Sequence, residues 1–141
     1  MMVLVDTSIW SLALRRHPSH LSTSERLLTN SLRELIQEGR VQLLGAVRQE
    51  ILTGIREHTK FRKIRSELRD FEDVALTFED YENAASMSNL CRQSGIAATP
   101  IDMLICAVSQ LRGWRVFTAD RDFIHFSKVL RIPMMTSFRL H

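Results

Sequence analysis

With 141 residues, 45% of them hydrophobic and 25% charged, the chain falls in the ordinary range of a single globular domain, which excludes a disordered chain and a disulfide scaffold. Lys and Arg number 19 against 16 Asp and Glu, a net charge of +3 that is too mild to announce a nucleic-acid partner by itself. Cys91 and Cys106 have neither metal-ligand spacing nor a His partner, and no apolar run approaches the ~18 residues of a membrane span. Buried free thiols in a cytoplasmic, soluble protein without membrane contact are therefore expected, with residues 1–141 forming one domain.

In chain order, Val3-Leu4-Val5 is an apolar run stopped by Asp6-Thr7-Ser8, the pattern of a strand buried on both faces that hands over to a helix. Asp6 is then at the strand's carboxyl end, where open parallel sheets bind ligands, and Thr7 or Ser8 can cap the helix and hydrogen-bond the carboxylate. The helix carries Ile9, Trp10, Leu12 and Ala13 and stops before Pro18. Ser22 and Glu25 form a capping box for a second helix, with Leu27, Leu28, Leu32, Leu35 and Ile36 at helical spacing up to Gly39. Val41–Leu44 predicts the second strand, and Gly45 turns the chain into a helix from Val47 to Leu52 that carries Glu50 near its start. Lys60–Arg69 reads as a basic amphipathic helix with Phe61, Ile64 and Leu68 on one face.

Val74–Thr77 predicts a third strand, followed by a helix from about Glu79 to Gln93 that ends at Gly95. Thr99 is the N-cap and Pro100 the first residue of the next helix, which places Asp102 in its first turn and closes at Gly113. Val116-Phe117-Thr118 predicts the fourth strand, with Asp120 in its carboxyl-end turn, a short helix around Phe123–Phe126, and a sheet-edge strand at Ile132–Met135 because of Pro133. Alternating strands and helices predict an α/β/α sandwich around a mainly parallel sheet.

Taken singly, these acids are ordinary: Asp caps turns, and carboxylates are common in first helical turns. Together, Asp6 and Asp120 at strand ends and Glu50 and Asp102 on helices can face one crevice. Close carboxylates repel unless a cation is present, so the group predicts a divalent metal site, and all-oxygen ligands favour Mg²⁺ or Mn²⁺ over zinc. Such ions serve phosphoryl transfer, which makes a phosphodiester the natural substrate. Thr7, Ser8 and Thr118 are candidates to hold the carboxylates in place. The bases Arg15, Arg16, Lys60, Arg62, Lys63, Arg65 and Arg69 form a candidate RNA-binding rim, weighed against an ordinary solvated helix face.

Val5-Asp6-Thr7-Ser8, Arg48-Gln49-Glu50-Ile51, Thr99-Pro100-Ile101-Asp102-Met103-Leu104-Ile105 and Phe117-Thr118-Ala119-Asp120-Arg121-Asp122-Phe123 resemble, in that order, the motifs of PIN-domain ribonucleases, specifically the VapC toxins of type II toxin–antitoxin systems. The resemblance implies a Mg²⁺-dependent endoribonuclease that forms a homodimer and is silenced by a VapB-like antitoxin. Asp6, Glu50, Asp102 and Asp120 match the family's four acids and Asp122 an additional acid of some members, which leaves the shares of Asp120 and Asp122 in metal binding open. The rivals are a PIN nuclease without an antitoxin, a non-cleaving RNA-binding module, and a receiver-like phosphoacceptor. The last is disfavoured because Val74–Leu76 runs into Thr77 and Phe78 where an acceptor Asp is required.

Overall fold

β1 (Val3–Val5) is the central strand of a three-stranded sheet in a computed structural model that describes residues 1–135. It pairs in parallel with β2 (Val41–Gln42) on one side and with β3 (Arg115–Phe117) on the other, in the order β2-β1-β3. All three β1 side chains are buried, as a strand covered on both faces requires, and each contributes about 1.5–3 kcal/mol by leaving water.

Seven α-helices flank the sheet among the described residues. α1 (Thr7–Leu14) packs on α2 (Thr23–Gln37) and α3 (Gly45–Leu52), and α3 packs on α4 (His58–Leu68). α5 (Phe78–Gln93) packs along α6 (Pro100–Arg112) and against α7 (Asp122–Val129), and α6 leads back to β3. The result is the α/β/α arrangement that the sequence predicts. Trp10, Phe117, Phe123, Phe126 and the β1 residues belong to its core, and Cys91 and Cys106 are free and buried. No helix among the described residues is long and apolar enough to cross a membrane.

The local signals explain most helix ends. Ser22 and Glu25 form the reciprocal capping box of α2, Thr99 accepts the Asp102 N–H at the start of α6, and Gly113 closes α6 with φ +70°. At α1 the cap differs from expectation. It is Asp6 itself, whose carboxylate accepts the Ser8 N–H, so the helix begins at Thr7.

The predicted third strand, Val74–Thr77, does not form. Only Asp73 bridges Leu43, with the Val74 N–H donating to the Leu43 carbonyl at 2.9 Å. Beyond that point Arg112 takes the Ala75 carbonyl and Thr77 becomes the cap of α5, so side chains satisfy the backbone that a ladder would have used. The fourth predicted strand is thus the third observed, and Thr118 lies just beyond it. β2 ends at Gln42, with only a bridge at Leu43, because Leu44 is already the N-cap of α3. The edge strand at Ile132–Met135 reduces to one parallel bridge, Val116 with Met134, held by two hydrogen bonds of 2.8 and 2.9 Å.

Arg48 ties the α4–α5 connection to α3. Its guanidinium bonds Asp73 at 2.8 Å and the carbonyls of Leu68 and Phe71. Gly45 packs closely beside it: a Cβ there would meet Asp73 Oδ2 at 3.1 Å, so the Asp73 carboxylate would have to give by a few tenths of an ångström.

Candidate functional site

β1 delivers Asp6 to the carboxyl edge of the sheet, where its side chain is only 4% exposed. Oδ2 accepts hydrogen bonds from the Ser8 hydroxyl at 2.7 Å and the Thr118 hydroxyl at 2.8 Å, with the Ser8 N–H at 3.4 Å. Each hydroxyl proton is spent on the carboxylate, so both oxygens act as acceptors for the next turn. Ser8 Oγ takes the Ala119 N–H at 2.9 Å and Thr118 Oγ1 takes the Asp120 N–H at 3.0 Å. Two short side chains therefore lock the end of β1 to the turn after β3, while Asp6 Oδ1 accepts no hydrogen bond from the described residues. Thr7 takes no part in this network; its buried hydroxyl has no partner among the described residues.

Replacing Thr118 with Val removes a part-buried hydrogen bond to a charged group and takes the acceptor from the Asp120 N–H. A loss of about 1–3 kcal/mol in urea unfolding is expected, and an unchanged midpoint would show that the turn holds without the hydroxyl.

Asp120 is half-buried and accepts the Asp122 N–H on Oδ1 at 2.9 Å, which shapes the entry to α7. Asp102 comes from a different element, the first turn of α6, where Thr99 and Pro100 fix the helix start. Burial pushes the Asp102 carboxyl up to about 6; Thr99 hydrogen bonding opposes the rise, and the charges of Asp6 and Asp120 add to it. Asp6, Asp102 and Asp120 are thus close enough to feel one another, and none forms a salt bridge among the described residues.

Glu50 is not among the charges that act on Asp102. It is the sixth of eight residues of α3, towards the helix end and not near its start, and its side chain is exposed. The misplacement follows from Gly45, which opens the helix two residues before Val47. Asp122 is the first residue of α7 and is exposed, touching Asp120 through its backbone.

Among the described residues, no three His, Cys, Asp or Glu side chains form a ready-made metal cage. The donor set nevertheless fits a hard divalent cation. It is all oxygen, it carries uncompensated negative charge, and a small ion that keeps most of its water needs only one or two direct carboxylates.

The basic residues divide. Arg15 and Arg16 at the end of α1 and Lys60 and Lys63 on α4 line one cleft of about 520 Å³, together with His17, Glu57 and Glu67. Lys60 Nζ closes on the Arg15 carbonyl at 2.8 Å, and Arg16 is engaged by Glu25 at 2.8 Å. Arg62, Arg65 and Arg69 are exposed and do not line this cleft. A second groove of about 540 Å³ runs between α1 and α2, with Trp10, Leu12, Leu21, Leu32 and Ile36 on its walls and Arg26 and Arg33 beside them. Neither groove is legible from the sequence, because both depend on how far the helices splay. The stapling role of Arg48 is also hidden, since its partners come 20–25 residues later.

Solved structures with the same fold are available for comparison. FitAcB from Neisseria gonorrhoeae superposes with a TM-score of 0.73 at 18% identity, covering 97% of this chain and 99% of that one. VapBC2 from Rickettsia felis, bound to a DNA fragment from their promoter, gives 0.73 at 15% identity over 96% and 98% of the two chains. A toxin–antitoxin complex from Klebsiella pneumoniae gives 0.62 at 17% over 86% and 89%. No protein of curated function matches the sequence. The profile of the PIN domain, however, matches residues 3–129, nearly the whole chain and all four acidic motifs. The chain belongs to the PIN-domain family, whose members are generally nucleases.

Proposed function

We propose that the protein, acting as one domain over residues 1–141, is a Mg²⁺-dependent endoribonuclease and the toxin of a VapBC-type pair. The observation that carries this reading is the trio Asp6, Asp102 and Asp120 at one sheet edge without a salt-bridge partner among the described residues. PIN nucleases generally use divalent ions, and Mn²⁺ suits the same oxygens. When bound, the ion supplies Lewis acidity that makes water nucleophilic near neutral pH. The chain's own part is positional. Ser8 and Thr118 fix Asp6 in one orientation, Thr118 also fixes the backbone of Asp120, and α6 holds Asp102 where its charge is costly until a cation arrives. Glu50 serves from the periphery, acting through water, and Asp122 supports Asp120.

The toxin assignment draws on the toxin–antitoxin complexes that share the fold. A VapB-like inhibitor would seat apolar side chains in the α1–α2 groove and bring an Arg or Lys to the carboxylates, replacing the ion's charge. Of the apolar residues of α2, Leu32 and Leu35 face the core, while Leu27 and Ile36 are exposed and available to a dimer contact.

The purified chain should cleave an RNA oligonucleotide with Mg²⁺ and stop on chelation. Its expression alone should arrest growth, with relief by Asp6→Asn or by the neighbouring antitoxin gene. Absence of cleavage with both Mg²⁺ and Mn²⁺ would sink the nuclease reading, whereas an active enzyme harmless in the cell would remove only the toxin role. For the rim, Lys63→Ala should weaken RNA binding and lower the slope of log affinity against log salt by about one, and Arg65→Ala should do less because it lies outside the cleft. Equal effects from both would dissolve the cleft as a path for the backbone.

A further inference from the structure

Asp122 and His125 stand one turn apart on α7 and, with Gly95, Ile96, Ala97 and Phe126, line a cleft of about 300 Å³. Its two walls are the segments that carry the acids. Asp122 follows Asp120 and donates its N–H to Asp120 Oδ1, and Gly95–Ala97 lead into the Thr99 cap that positions Asp102. We propose that this cleft receives one base of the RNA, a guanine, next to the phosphate that is cut; the inference rests on the nuclease reading above.

The size decides first. Ligand sites span roughly 300–1,000 Å³, and a cleft at the bottom of that range suits one ring system and not a folded RNA element. Its lining has the composition that single-stranded bases use. Ile96 gives a half-buried apolar wall backed by the buried Phe126, and the exposed imidazole of His125 offers a flat face for stacking. The Asp122 carboxylate is exposed and accepts no hydrogen bond or salt bridge from the described residues, so it is available to a ligand.

A carboxylate only accepts, and this selects among the bases. Guanine presents two adjacent donors, N1–H and the N2 amine, which a carboxylate takes with both oxygens. Adenine and cytosine place a ring acceptor beside their amine, and uracil flanks its one N–H with two carbonyls, so each turns an acceptor towards the second oxygen. A bidentate pair of this kind discriminates by about 10–100-fold.

The test is to sequence the ends that the Mg²⁺-loaded full chain generates from a randomised RNA pool, for the wild type, Asp122→Asn, His125→Ala and Ala97→Leu, the last filling the cleft from an exposed backbone position. Wild-type ends should be enriched in guanine at one fixed position beside the cut, and inosine there, which lacks the N2 amine, should lower the rate about tenfold or more. His125→Ala and Ala97→Leu should lose the enrichment while still cutting, whereas Asp122→Asn, whose residue also supports Asp120, is read only for the loss of enrichment among the ends it still yields. A Mg²⁺-induced rise in melting temperature serves as the folding control. Wild-type cleavage with no base preference beside the cut, or variants that keep it, would overturn the base pocket and leave the nuclease standing. A wild type that cuts nothing would instead remove the reading on which the pocket rests.

Discussion

Asp6→Asn is expected to lower RNA cleavage by about 10³-fold, ~4 kcal/mol of transition-state stabilisation, with little change in thermal stability. Asn has the same shape, and its amide oxygen can accept the Ser8 and Thr118 hydroxyls as Oδ2 does now. That choice turns the NH₂ group to where Oδ1 stands, and a donor replaces an anion at the place a cation needs. The expected signature is therefore separation: the unfolding midpoint stays and the rate collapses. A variant that cleaves within tenfold of wild type would show that Asp6 is only the cap of α1, the role its contact with Ser8 N–H already gives it.

Asp102→Asn is expected to act on stability and activity in opposite directions. The folded carboxyl is raised to about 6 from 3.8, so the folded chain holds this proton more tightly than the unfolded one. The stability that comes from the neutral carboxyl is complete below the unfolded value and is lost as pH rises through about 6. Above that, the metal-free protein carries a charge it would fold better without. Water reaches the half-buried side chain and screens the effect, which leaves about 1 kcal/mol at neutral pH, roughly 3 °C in melting temperature. The variant should melt higher than wild type at pH 7.5 without metal, and the difference should vanish by pH 4. Added Mg²⁺ should reverse the order by stabilising only the wild type, and cleavage should be lost. A variant less stable than wild type at pH 7.5 would mean that Asp102 makes a favourable contact as an anion, contrary to the repulsion from Asp6 and Asp120.

The elements that were legible in the sequence are those with a local cause. The capping box at Ser22 and Glu25, the Thr99-Pro100 start and Gly113 end of α6, and the unbroken apolar run of β1 each depend on residues within one turn of one another. The elements that failed depend on partners far away. Val74–Thr77 has the residues of a strand, but whether it pairs is decided by Arg112, 37 residues later, which takes the Ala75 carbonyl. Gly45 reads locally as a turn, yet α3 begins at Gly45 itself, so Glu50 falls late in the helix rather than near its start.

By itself, then, the sequence determined the alternation of strands and helices, the three carboxylates at strand ends and a helix start, and the family whose motifs they match, since type, order and spacing are local properties. Only the tertiary structure decided that Ser8 and Thr118, 110 residues apart, converge on one oxygen of Asp6. It alone decided that Asp102 shares a field with Asp6 and Asp120, and that clefts open along α1 and α7. Hydrogen bonds and charge repulsion act through a few ångströms of space whatever the distance along the chain, so their outcome rests on how the helices pack around the sheet.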